Sequence, residues 1–134
     1  MGTVITFYSY KGGVGRSMCL ANAGLLMAGW GYKVLLVDWD LEAPGLENFF
    51  KQLVTNTPSL NKGLIDLISE TTSDDKIIES IDQLWKSAVC RIITKGNGKL
   101  DLITAGKRER DKSGKFGDNY YKKVRQFDIK NFYA

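Results

Sequence analysis

The sequence predicts an α/β protein with a mainly parallel sheet, and three observations carry that expectation. A β-branched and aromatic run at residues 4–8 stops at a glycine-rich turn, as a buried strand does. Leu20, Ala23, Leu26 and Met27 then recur at helical spacing before Gly29 and Gly31. Finally, Lys33-Val34-Leu35-Leu36-Val37 is a continuous apolar run that ends on Asp38 and reads as a strand covered on both faces. Strand, helix and strand in so short a span make a βαβ unit. Its right-handed crossover would bring the glycine turn and Asp38 together at the carboxyl ends of the strands.

Further along, residues 46–53 and 63–69 each suit a short helix, and residues 75–85 a longer one capped by Ser73 or Asp74. Residues 90–94 and 100–104 flank Asn97-Gly98, a hairpin signal, and the second of these runs is expected to join the main sheet. Residues 106–119 are polar and glycine-rich and read as an exposed loop, with a helix expected over 119–127.

At 134 residues, with 43% hydrophobic and 25% charged side chains, the chain is expected to form one globular domain or part of one. Two separated cysteines, Cys19 and Cys90, and no histidine argue against structural zinc and suit a reducing compartment. Without histidine, hydrolytic chemistry falls to carboxylates, backbone amides and a metal ion. No secretory leader opens the sequence, and the most apolar region, 23–37, is interrupted by Lys33 and glycines, unlike a membrane span. Gly2 and Thr6 fit a myristoylation pattern, yet the strand expected to begin at once speaks against lipidation. The net charge of +4 is uneven: up to Thr94 there are 8 basic and 10 acidic residues, and from Lys95 onward 11 and 5. A solvated face is the simpler account of that basic excess, a nucleic-acid or membrane surface the alternative.

The segment Lys11-Gly12-Gly13-Val14-Gly15-Arg16-Ser17 carries the chemistry. A glycine-rich turn between strand and helix leaves backbone N–H groups pointing one way at the positive end of the helix dipole, where phosphate binds. Gly12, Gly13 and Gly15 let the main chain approach phosphate oxygens, and the Ser17 hydroxyl suits Mg²⁺. Against the pattern G-x-x-x-x-G-K-[ST], Tyr10 replaces the first glycine and Arg16 the lysine. The rival G-x-G-x-x-G dinucleotide turn fits Gly13-Val14-Gly15 and Asp38, but has Met18 for its third glycine and no use for Lys11 or Ser17.

These residues resemble the MinD/ParA class of P-loop ATPases, whose deviant Walker A loop reads K-G-G-x-G-K-[ST] with a signature lysine matched here by Lys11. The likeness continues through Val34-Leu35-Leu36-Val37-Asp38-Trp39-Asp40 and looks closest to a branch with arginine in the loop, K-G-G-V-G-R followed by V-D-x-D-L-E-A-P-G-L. Residues 3–46 carry nearly all of it, and 102–106 resembles a later strand more weakly. The resemblance implies a three-layer P-loop (SIMIBI-type) fold, incomplete at its C-terminus. Residues 1–134 would be the N-terminal portion of a single nucleotide-binding domain, without the second acidic motif and base-binding segments. It further implies an ATP- and Mg²⁺-dependent homodimer that hydrolyses ATP and engages a partner protein, in a bacterial cytoplasm, peripheral to DNA or membrane. Residue by residue, Lys11 would reach phosphates across the dimer. Gly12, Gly13, Val14 and Gly15 would cradle them, with Met18 near the α-phosphate and Ser17 on the metal. Asp40 would position the attacking water, Asp38 would hold the metal's water shell or Lys11, and Arg16 would grip phosphate. Arginine keeps the charge but follows a moving phosphoryl group less readily than lysine, so slow or dimer-dependent hydrolysis is expected. A nucleotide-binding module without turnover and a basic nucleic-acid or membrane interaction domain are the alternatives.

Overall fold

The structure, a computed structural model, describes residues 2–54, 62–71, 83, 85–107 and 118–126. Its elements are helix α1 (Arg16–Gly29), strand β1 (Lys33–Val37), a 3₁₀ turn (Leu46–Phe50), helix α2 (Leu64–Thr71), strands β2 (Val89–Ile92) and β3 (Lys99–Ile103), and helix α3 (Asp118–Gln126). Most of the helix expected over 75–85, and residues 108–117 of the expected loop, lie outside the described residues.

The three strands form one sheet in the order β1-β3-β2. β1 pairs with β3 in parallel, Leu35 opposite Asp101, and β2 pairs with β3 antiparallel, Arg91 opposite Asp101. The sheet is therefore mixed, not mainly parallel, because the 90–104 hairpin supplies the antiparallel pair. Arg91 and Asp101 form a cross-strand ion pair, and first the hydrogen bond and then the charge of Asp101 raises the Arg91 guanidinium above its ordinary range.

Side chains alternate cleanly across the sheet. Leu36, Cys90, Ile92, Leu100 and Leu102 meet Ala21 and Ala28 of α1 together with Leu46 and Phe50. On the other face Ile103, with Val37 and Val89 against it, meets Leu41, Leu64, Ile65 and Tyr120. The result is three layers, with α1 on one side and α2 and α3 on the other. Cys19 is exposed and Cys90 buried, and the two form no disulfide.

Further expectations need correction. Residues 4–8 form no strand: Val4 is 93% and Ile5 60% exposed, and the segment pairs with none of the three strands. The sheet of β1, β3 and β2 includes no part of this segment, and without a ladder neighbour a strand cannot satisfy its backbone groups. The βαβ unit expected at the start is thus absent, and α1 leads into β1 from an unpaired segment. β1 itself is not covered on both faces, since Leu35 is 39% exposed near the unpaired edge.

Helix α1 lies where expected but is turned. Its buried residues are Ala21, Gly24 and Ala28, while Leu26 is 56% exposed. A Cβ on Gly24 would stand 2.9 Å from Leu36 Cδ2, so the helix sits too close to the sheet for large residues, and the smallest side chains face it. The hairpin also departs from a two-residue Asn-Gly turn. Its positive φ falls on Gly96 (129°), and Gly98 is required because a Cβ there would run into the carbonyls of Ala28 and Tyr32.

A similar close approach joins α2 to the strand ends. Leu64 N–H donates to Thr104 O at 2.8 Å and Ile65 N–H to Ala105 O at 2.9 Å, while a Cβ on Gly63 would overlap the Gly106 backbone. Gly63→Ala is expected to cost about 1–3 kcal/mol through that overlap, read as a lowered thermal unfolding midpoint. An unchanged midpoint would show that the two backbones part freely.

Candidate functional site

The loop from Lys11 to Ser17 projects from the start of α1 into solvent. Lys11, Gly12, Gly13, Val14 and Met18 are exposed, and Gly15, Arg16 and Ser17 are half-buried. Gly13 (φ 74°) and Gly15 (φ 78°) take left-handed backbone conformations that explain glycine at both positions, and no non-glycine residue among those described has positive φ. The open space around Gly12 places no such demand on it. Upstream, Ser9 Oγ donates to Lys11 O at 2.9 Å and accepts from Lys11 N–H at 3.2 Å, bracketing the residue that begins the loop. Tyr8 and Tyr10 pack edge to face with ring centroids 5.1 Å apart.

Gly15 caps α1 with no side-chain hydrogen bond, and the first intrahelical bond runs from Cys19 N–H to Gly15 O at 2.8 Å. The N–H groups of Arg16, Ser17 and Met18 are left at the positive end of the dipole without an acceptor among the described residues. The Ser17 hydroxyl likewise has no partner there. Such an array of unpaired donors suits an anion.

Asp38 and Asp40 leave β1 toward the same region. Asp38 is 5% exposed, and its carboxylate organises the next segment: Oδ1 accepts from Asp40 N–H, and Oδ2 from Gly45 N–H and Leu46 N–H, each at 3.1 Å. Asp40 Oδ1 accepts from Ala43 N–H at 3.0 Å, while Oδ2 meets Arg16 Nη2 at 2.9 Å. Arg16 Nη1 also donates to Ser9 O at 3.1 Å. The structure therefore brings together Ser9, Arg16, Asp38 and Asp40. No contact joins Lys11 to either aspartate.

Sequence reasoning missed three parts of this arrangement. Ser9 was not singled out, although a hydroxyl two residues before Lys11 is a turn-forming signal. Nor was the Arg16–Asp40 pair, which joins residues 24 apart in sequence. The third is Asp38 as a loop organiser, a role invisible without knowing where Gly45 returns. In the last third, Lys123 is paired with buried Asp66 at 2.6 Å, which withdraws one cation from the basic excess.

For Mg²⁺, the donor set fits an ion held chiefly by phosphate and water. Among the described residues no three acidic, cysteine or histidine side chains converge, and the Asp38 carboxylate already accepts three backbone N–H groups, so the Ser17 hydroxyl, unpartnered among the described residues, is the side chain at the loop that could hold such an ion. No helix among the described residues is long and apolar enough to cross a membrane.

The fold and loop together describe an α/β protein with a glycine-rich turn at the start of a helix, and comparison with known proteins sharpens that class. No protein-family model matches the chain, and no solved structure matches it. The chain is 31% identical over 99 residues to a putative septum site-determining protein MinD of Chlorella vulgaris, covering 74% of this chain and 33% of that protein. It is 30% identical over 104 residues to the chloroplastic septum site-determining protein minD homolog of Arabidopsis thaliana, covering 78% and 30%. A third relative, a putative septum site-determining protein MinD of Oltmannsiellopsis viridis, is 32% identical over 98 residues, covering 73% and 29%. These weak, partial similarities suggest the MinD/ParA type of P-loop ATPase. The chain spans about a third of the length of the curated relatives it matches.

Proposed function

We propose that this chain is the phosphate-binding portion of a MinD/ParA-like ATPase switch, taking ATP with Mg²⁺ at residues 11–18. One observation carries the reading: the glycine turn at Gly13 and Gly15 presents unpaired N–H groups of α1 beside a free Ser17 hydroxyl, in a chain similar to MinD proteins. The N–H groups of the loop and of Arg16, Ser17 and Met18 would hold phosphate oxygens, and Ser17 would hold the metal. Bound Mg²⁺ neutralises charge on the phosphates during transfer. Asp38 keeps the segment after β1 folded, so that Asp40 can orient water. Lys11, exposed and free of either aspartate, would serve a second copy's phosphates in a nucleotide-dependent homodimer. The arginine-loop branch, a bacterial cytoplasmic setting and a partner protein belong to the same proposal.

A second reading, nucleotide binding without turnover, is favoured by one feature: Arg16 occupies Asp40, the residue that turnover would need.

Titration calorimetry with MgATP tests the first claim. Binding is expected, and Ser17→Ala should weaken it about tenfold in Mg²⁺ but little in EDTA, as loss of a metal ligand would. Equal weakening in both conditions would remove Ser17 from the metal. Lys11→Ala separates the switch from the silent module, because it should spare binding and abolish any dimer-dependent phosphate release.

A further inference from the structure

Arg16 stands where phosphate would be gripped, yet its guanidinium is already engaged on two sides. Nη1 holds the Ser9 carbonyl at 3.1 Å and Nη2 holds Asp40 Oδ2 at 2.9 Å. Both side chains of the pair are about a third exposed, 32% for Arg16 and 31% for Asp40, so water screens it and the pair is weak. A phosphate group carries more negative charge than a carboxylate and accepts the same two-pronged guanidinium geometry. The two anions therefore compete for one cation.

Asp40 is also the joint of the segment behind it. Its N–H is held by Asp38, its Oδ1 holds Ala43 N–H, and Trp39, 61% exposed, lies between the two aspartates. Releasing Oδ2 from Arg16 changes the charge and tether of this segment without touching the Asp38 bonds that fold it.

We propose that the Arg16–Asp40 ion pair is a latch exchanged by nucleotide: the phosphates draw Arg16 away from Asp40, which frees that carboxylate and loosens residues 39–43 from the loop. The inference rests on the phosphate-loop reading and adds its regulation. Arg16 then acts as a positioning residue in the empty chain and as a phosphate contact in the loaded one. Asp40 becomes available to water only when phosphate is present, so the acid and the phosphate loop are armed together.

A double-mutant cycle on the full chain tests this, with Mg²⁺ and the slowly hydrolysed analogue ATPγS as probe and equilibrium dialysis as readout. Asp40→Asn removes the charge but keeps the oxygen that accepts from Ala43 N–H, and Asp40→Ser provides a second route should the first fold poorly. With Arg16 present, either change should tighten ATPγS binding about two- to fivefold, the weight of a screened ion pair. In an Arg16→Gln background the gain should vanish. An equal gain in both backgrounds means that Asp40 merely repels phosphate and overturns the latch alone, as does the absence of any gain. If none of the proteins, the parent included, binds ATPγS, the phosphate-loop reading falls and takes the latch with it.

Discussion

Asp66→Ala is expected to destabilise the chain by about 2–4 kcal/mol, because it removes the acceptor of two backbone N–H groups together with the buried half of a partly exposed ion pair. Asp66 is 2% exposed. Its Oδ2 accepts from Gly63 N–H at 2.9 Å and from Lys107 N–H at 2.6 Å, and its Oδ1 meets Lys123 Nζ at 2.6 Å. One carboxylate thus ties the start of α2 to the chain leaving β3 and to α3. Without it, two N–H groups lose their acceptor and Lys123, whose side chain is 35% exposed, loses its ion-pair partner. A typical domain is stable by only about 5–15 kcal/mol, so the loss removes a large share of the total. Urea unfolding monitored by circular dichroism measures it. A midpoint within error of the parent would mean that the α2–α3 layer stands without this carboxylate. Asp66→Asn should fall in between, since its amide keeps one acceptor oxygen but turns an N–H₂ toward a donor.

The sequence made the local elements legible and the long-range ones only in part. α1, β1, the β2–β3 hairpin, α2 and α3 each fall within a few residues of their expected places, because capping, periodicity and apolar runs act over a few residues. The rotation of α1 was hidden for a physical reason. Large residues at helical spacing usually mark the buried face, but here the helix approaches β1 so closely that Gly24 and the alanines face the sheet and Leu26 faces water. Residues 4–8 have the composition of a strand, yet a strand exists only by pairing, and propensity says nothing about which edge is free. At the site, the loop was legible because its glycines must meet backbone demands that the spacing betrays. The Arg16–Asp40 and Asp38 contacts were not, since each joins segments whose meeting is decided by the sheet and by the return of the chain at Gly45.

Asp38→Ala is expected to cost about 3 kcal/mol or more, and its signature separates it from the loss at Asp66. The carboxylate accepts three backbone N–H groups, and Leu46 N–H among them is buried. Leu46 (2% exposed) and Phe50 (0%) enter the core directly after that anchor, packed with Ala21, Leu100 and Leu102. Losing the anchor therefore strands N–H groups and loosens two of the largest side chains of the α1-side core in one step. Amide hydrogen exchange should quicken at Asp40, Gly45 and Leu46 well before the rest of the chain, because these bonds open locally. In Asp66→Ala the fast amides should instead be Gly63 and Lys107. Asp38→Ala should also mimic an open latch, since Asp40 loses the N–H bond that aims its carboxylate at Arg16. Unchanged exchange at Gly45 and Leu46 would falsify the anchoring role and leave Asp38 free to serve a metal's water shell.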